Sequence, residues 1–233
     1  MNLPIITCLG SCRLLPVEKY FSHTKLNEII SFTHNTKEVI QLLKFINNEI
    51  NIPENINRFC FRTGILNKSN ILLHHLYKEA IQNTNIFIIE LCSNKCYINN
   101  NYYLHHLAVD TRFAEYKDTP TEIINTTNIH FLEEEEIEAD LLFLLKYLKN
   151  KKILIITHYN VYHNNELLTT RNNLINSIEN ICKKHQIPLF NPSILFQQYK
   201  QNDIIQNDYG HLTNLGKNIA GLHLRQTILE LFK

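Results

Sequence analysis

The residues best suited to chemistry lie near either end of the sequence. Early in the chain, Leu9-Gly10-Ser11-Cys12-Arg13 closes a short apolar run. A nucleophile on a tight turn after a strand is exposed, and neighbouring backbone N–H groups can hold an oxyanion. Ser11 and Cys12 both stand on that turn, and either could be the nucleophile. Late in the chain, Asn207-Asp208-Tyr209-Gly210-His211-Leu212 precedes a helical pattern. Asp208 and His211 are spaced so that a carboxylate can orient an imidazole, and an imidazole so held can take a proton from a thiol or hydroxyl. Each motif alone also has a plainer reading, a Gly-Ser turn beside a packing cysteine and an Asp-capped helix start. Their joint presence argues for a site in which a carboxylate-held imidazole serves a nucleophile.

The surrounding elements must bring the two together. Residues 3–9 (LPIITCL), 57–61, 86–91 (IFIIEL), 153–157 (ILIIT) and 187–190 read as short buried strands. Residues 36–50, 69–82, 132–149, 167–185 and 212–232 carry helical spacing, with Glu133 to Glu136 suiting the positive end of a helix dipole. Residues 97–128 read as an irregular insertion. Strands alternating with helices predict an α/β fold, a parallel sheet covered by helices on both faces. In such a sheet, sites form at the carboxyl ends of the strands, which is where the Gly10-Ser11-Cys12 turn falls.

Composition narrows the function. The 233 residues are 44% hydrophobic and carry a net charge of +1. One domain over residues 1–233 is expected. Near-neutral charge gives no reason to expect nucleic acid or an anionic membrane as partner. No apolar run approaches the length of a membrane span, and residues 1–15 do not read as a signal peptide. A soluble cytoplasmic protein is the expectation. The chain stops inside an amphipathic helix without a capping signal, as expected of a domain cut from a longer protein and fused to another. The six cysteines show neither a disulfide framework nor paired zinc spacing. Twelve histidines include His74-His75 and His105-His106, but none has metal-ligand spacing such as His-Glu-x-x-His, so no metal is expected.

The two motifs together resemble the SGNH/GDSL hydrolase superfamily, over nearly the whole chain. That family places its nucleophile after the first strand and its Asp-x-x-His before the last helix. The resemblance implies a three-layer α/β/α sandwich with a mainly parallel, flavodoxin-like sheet. It also implies an oxyanion hole in which Thr63-Gly64 supplies the Gly64 N–H, and Cys92-Ser93-Asn94-Lys95 supplies the Asn94 amide. The sequence departs from the family where Gly10-Ser11-Cys12 replaces Gly-Asp-Ser, Cys92 replaces Gly and Lys95 replaces Asp. Its first block is similar to the subgroup named for Gly-Ser-Cys-Phe-Ala (GSCFA) and to capsule-polysaccharide acyltransferases with Gly-Asn-Cys.

A cysteine acyl-enzyme would be a thioester, which exchanges readily with thiols and is taken by amines in competition with water. The expectation is therefore acetyl transfer from acetyl-CoA to an amino sugar, free or nucleotide-linked, in glycan biosynthesis. His211 would be the base, Asp208 its orienter, and Cys12 or Ser11 the nucleophile. The alternatives are an esterase or deacetylase for sugar esters and a silent carbohydrate-binding domain. Arg13 and His158 are candidate substrate contacts. Arg13, Arg62 and Arg171 are candidates for phosphate, and Tyr97, Tyr102 and Tyr103 for a sugar-stacking lid.

Overall fold

The computed structural model describes residues 3–23, 32–73 and 75–233. His74 of the His74-His75 pair lies outside them. Five parallel strands form the main sheet: β1 (Ile5–Leu9), β2 (Ser22–His23), β3 (Ile86–Leu91), β7 (Lys152–Thr157) and β10 (Leu189–Phe190). Their order in space is β10-β7-β3-β1-β2. This is the flavodoxin-like order, and it puts the switch point between β1 and β3.

The apolar strands are buried on both faces, so alternate residues enter different cores. Phe87, Ile89, Ile153 and Ile155 join one core with residues of the helices Thr36–Ile46, Glu134–Tyr147 and Thr169–Lys184. Ile86, Ile88, Leu154 and Ile156 join the other core with Leu224 and Ile228 of the last helix, Asn214–Phe232. The expected three layers are therefore present. Each fully buried side chain of this kind is worth about 1.5–3 kcal/mol relative to exposure.

Two expectations need correction. Residues 57–61 are not a strand: the helix Glu54–Cys60 takes 57–60, Phe61 follows as a single extended residue, and the second strand of the sheet is β2. The run Ile56, Phe59, Cys60 is buried at helical spacing, which explains the misreading of a short apolar segment. Residues 97–128 are not wholly irregular. The strands β4 (Lys95–Asn99), β5 (Tyr102–Leu104) and β6 (Asn128–Phe131) make a small antiparallel sheet in the order β5-β4-β6. Two further strands, β8 (Tyr162–His163) and β9 (Glu166–Leu167), form a hairpin after β7. No helix among the described residues is long and apolar enough to cross a membrane.

Candidate active site

The turn after β1 is built around a buried acid, Glu90, one residue before the end of β3. A Cβ on Gly10 would stand 2.6 Å from Glu90 Cβ and 2.8 Å from Leu14 Cδ1, so the close approach of the turn to β3 requires glycine. Ser11 gives both its donors to Glu90 Oε2, the backbone N–H at 2.8 Å and the hydroxyl at 2.6 Å. Its hydroxyl proton is committed to a carboxylate, and the residue is only 6% exposed. Cys12 opens a short 3-10 turn, Cys12–Leu14, where the first N–H groups have no acceptor within the turn. Cys12 is half-buried and lines a cavity of about 540 Å³ together with Arg13, Lys19, His211 and Lys217.

Asp208 organises the facing loop. Its Oδ1 accepts the N–H groups of Gly210 (2.9 Å) and His211 (3.0 Å), and its Oδ2 lies 2.6 Å from His211 Nδ1. The bond to His211, then the backbone bonds, hold the Asp208 carboxyl below its ordinary range. With Nδ1 facing the carboxylate, the Nε2 of His211 is left as the ring's second nitrogen for proton transfer. Within the loop Tyr209, and not the neighbouring Gly210, carries the left-handed conformation, with φ of 56°. Behind the loop, Thr213 caps the last helix through Gly216 N–H at 3.1 Å. A Cβ on Gly216 would lie 2.2 Å from the Ile204 carbonyl oxygen, so glycine lets the helix seat against the preceding segment.

Two arginines fasten the halves of the site. Arg13 Nε pairs with Glu90 Oε1 at 2.5 Å, and Arg13 Nη1 donates to the Gly210 carbonyl at 3.0 Å. Burial opposes the charge on Arg13, and Glu90 more than offsets it, so the guanidinium is held protonated. Arg171 Nη1 donates to the Tyr209 carbonyl at 2.8 Å. Both guanidinium groups lie over the ring of Tyr159, at 5.9 Å and 5.7 Å from its centroid. Tyr159 is fully buried just beyond β7, and burial pushes its hydroxyl up to about 12. These arginines are engaged with the protein's own groups, Arg13 with Glu90 and the Gly210 carbonyl and Arg171 with the Tyr209 carbonyl. Arg62 lies over Phe32, 4.8 Å from its ring centroid.

The other expected residues are placed differently. Gly64 sits in the first turn of the helix Arg62–Asn67, where a Cβ would come within 2.5 Å of the Arg58 carbonyl. Its small size serves helix packing. The Asn94 amide donates to the Leu132 carbonyl at 3.3 Å, which ties β4 to the segment after β6. Neither residue lines the cavity of Cys12 and His211. His158 lies beyond β7, buried, with Nδ1 accepting the Tyr159 N–H at 2.7 Å. Burial, then the charges of Arg13 and Arg171, push its pKa well down, so it is neutral. His158 lines a second cavity of about 320 Å³ with Arg13, His34, Cys92 and His106. Tyr97 donates to Asp110 and Tyr102 to the Asn51 carbonyl, so these tyrosines pack the insertion.

Sequence reasoning missed Glu90, Tyr159 and the tethering role of Arg171. An acid inside the otherwise apolar run IFIIEL was the available signal, because a buried carboxylate needs partners. The flavodoxin-like sheet, the turn after β1 and the Asp208–His211 pair before the last helix make the architecture SGNH/GDSL in type.

Comparison with known proteins places the chain more closely. It matches the Vi polysaccharide biosynthesis protein TviD of Salmonella typhi at 25% identity over 90% of its own length. The chain spans 29% of that relative. Among solved structures it is loosely similar to an acetylxylan esterase of Geobacillus stearothermophilus, at 12% identity and a TM-score of 0.46, covering 98% of this chain and 95% of the esterase. It is likewise loosely similar to a GDSL-like lipase of Bacteroides thetaiotaomicron, at 12% identity and a TM-score of 0.41, covering 97% and 88%. The model of the TviD N-terminal domain matches residues 4–123 and again 105–224, and the chain belongs to that family.

Proposed function

We propose that this chain is one catalytic domain that transfers an acetyl group from acetyl-CoA to an amino sugar, in the making of a polysaccharide or its nucleotide-linked precursor. The observation that carries the reading is the pairing of roles at the turn after β1. Ser11 is spent on Glu90, while Cys12 faces the cavity that His211 also lines. The name of the Salmonella relative supports the polysaccharide context.

Cys12 is the nucleophile in this reading. His211 takes the thiol proton and Asp208 stabilises the imidazolium. The thiolate adds to the thioester carbonyl of acetyl-CoA. The resulting oxyanion is held by the Cys12 N–H, a donor worth roughly 2.7–4 kcal/mol in such a site. Collapse expels the coenzyme A thiolate, which takes the proton from His211. The acceptor amine then attacks the acetyl-cysteine carbonyl and gives a proton to His211, and the Cys12 thiolate leaves and recovers it. The Asn94 amide joins the oxyanion hole in this reading once the substrate draws it away from the Leu132 carbonyl.

The hydrolase reading has one observation in its favour: the His211 side chain is 55% exposed, so water has access to the base. The test is coenzyme A release from acetyl-CoA with a panel of amino and neutral sugars, free and nucleotide-linked. Release that needs an amino sugar and is lost in Cys12→Ala and His211→Ala supports the proposal. Turnover of acetyl esters with no acceptor, indifferent to coenzyme A, replaces it with an esterase.

A further inference from the structure

Three histidines that the reaction above does not use come together beside the second cavity. His34 lies in the segment leading into the helix Thr36–Ile46, and His105 and His106 follow β5. The His34 ring meets the other two at steep angles, 4.9 Å between centroids for His105 and 4.5 Å for His106, and the adjacent pair lies tilted at 4.3 Å. One ring nitrogen from each lies within 4.8 Å of the other two.

The polar bookkeeping of the cluster is incomplete. His105 is 1% exposed, and its Nε2 is buried with no hydrogen-bond partner. A buried polar atom left unsatisfied costs about 1–3 kcal/mol and calls for an explanation. His34 has the opposite arrangement. Its Nδ1 lies 3.2 Å from Glu38 Oε2, so the carboxylate fixes the ring and leaves Nε2 as the nitrogen that can meet a ligand. A histidine backed by a carboxylate is the usual posture of a metal-binding imidazole. Glu38 is itself held by Asn35, whose side chain also reaches the Lys95 carbonyl.

We propose that His34, His105 and His106 form a binding site for a divalent transition metal of the zinc type, with its open coordination position toward the 320 Å³ cavity. Three imidazoles with one open position suit zinc, at about 2.0–2.1 Å per nitrogen. Small side-chain rotations bring the three nitrogens in from their present spacing. Ligation through His105 Nε2 moves that proton to Nδ1 and gives up the contact with Leu107 N–H, which at 3.2 Å is long. The surrounding charge is close to balanced. Arg62 and Arg112 oppose a cation, Glu38 and Asp110 favour it, and Arg112 is already bound to Asp110.

The site is independent of the acyl-transfer reading, because its ligands are not the proposed catalytic residues. Its effect on the fold is direct: a metal would clamp the segment over the ends of β1 and β3 to the insertion. That segment already meets both strands, through Thr33 N–H on the Gly10 carbonyl and Cys92 N–H on the His34 carbonyl.

The experiment uses the full chain, stripped with EDTA and titrated with Zn²⁺ by calorimetry and with Co²⁺ by visible absorption. One saturable site per chain is expected. His34→Gln and His106→Gln should each weaken it at least tenfold, and Cys12→Ala should leave it unchanged. Circular dichroism of each variant checks the fold. If a variant fails to fold, the Co²⁺ spectrum of the parent decides, because all-nitrogen ligation lacks the thiolate charge-transfer band. The absence of a saturable site, a thiolate band, or parental binding in both folded histidine variants would overturn the proposal.

Discussion

Arg13 spans 197 residues of sequence to donate to the Gly210 carbonyl at 3.0 Å, while the same guanidinium holds Glu90. One side chain thus joins the turn that bears Cys12 to the loop that bears His211. Replacing it should damage both sides. Arg13→Ala leaves Glu90, 1% exposed, as an unpaired buried carboxylate, and should cost about 3–5 kcal/mol of stability. Arg13→Lys keeps the charge but cannot fork between two acceptors. It should retain most of the stability while coenzyme A release falls about tenfold or more through misplacement of His211. Denaturant unfolding and acceptor-dependent release, measured on both variants, separate the two effects.

Ser11 and Cys12 should divide stability from activity. Ser11→Ala removes the hydroxyl bond to Glu90, a neutral donor on a charged acceptor, at a cost of about 1.5–3 kcal/mol. Turnover should survive in the folded fraction. Cys12→Ala removes a half-exposed thiol and should change stability by about 0.5 kcal/mol or less, with turnover abolished. The reverse pattern would make Ser11 the nucleophile.

The sheet and the Asp208–His211 pair were legible because their signals are local. Ile86 to Ile89 is a contiguous apolar run, and a carboxylate three residues before a histidine is a contact within one turn. The unread parts depend on distant contacts. β2 is two residues long and carries no period of its own, and the helix Glu54–Cys60 is short and ends in the apolar run Phe59-Cys60-Phe61, which reads as a strand. Gly64 stands in the next helix, Arg62–Asn67, whose placement against the sheet is likewise set by packing and not by a local signal. Glu90 gains its meaning only from Ser11 and Arg13, which lie at least 77 residues away. The histidine cluster is invisible for the same reason, since His34 reaches His105 and His106 only through the fold.

Tyr209 offers a test of the loop's backbone. A non-glycine residue at φ of 56° is uncommon and costs of order 1–2 kcal/mol. Tyr209→Gly relieves that cost but loses the ring contact with His163, 5.3 Å between centroids, and frees the unfolded chain. Stability should change little, and activity should fall as the Asp208–His211 geometry loosens. Tyr209→Val, β-branched at a left-handed position, should be the more destabilised of the two by thermal unfolding.

His158 sets a dependence of stability on acid. Its folded pKa is pushed well down by burial, then by Arg13 and Arg171, whereas in the unfolded chain it titrates near about 6.5. Above that pH both states hold a neutral imidazole and His158 contributes no slope. Below it the unfolded state binds a proton that the folded state refuses, so stability falls with pH until the lowered folded pKa is reached. The slope approaches about 1.4 kcal/mol per pH unit for one such group. His158→Gln keeps an acceptor for the Tyr159 N–H and removes the titration. The parent should therefore lose about 1.6 kcal/mol more than the variant between pH 6.5 and 5, read from urea unfolding at each pH. Equal losses in the two proteins would mean that His158 takes up its proton in the folded state, with Arg13 and Arg171 yielding to admit the charge.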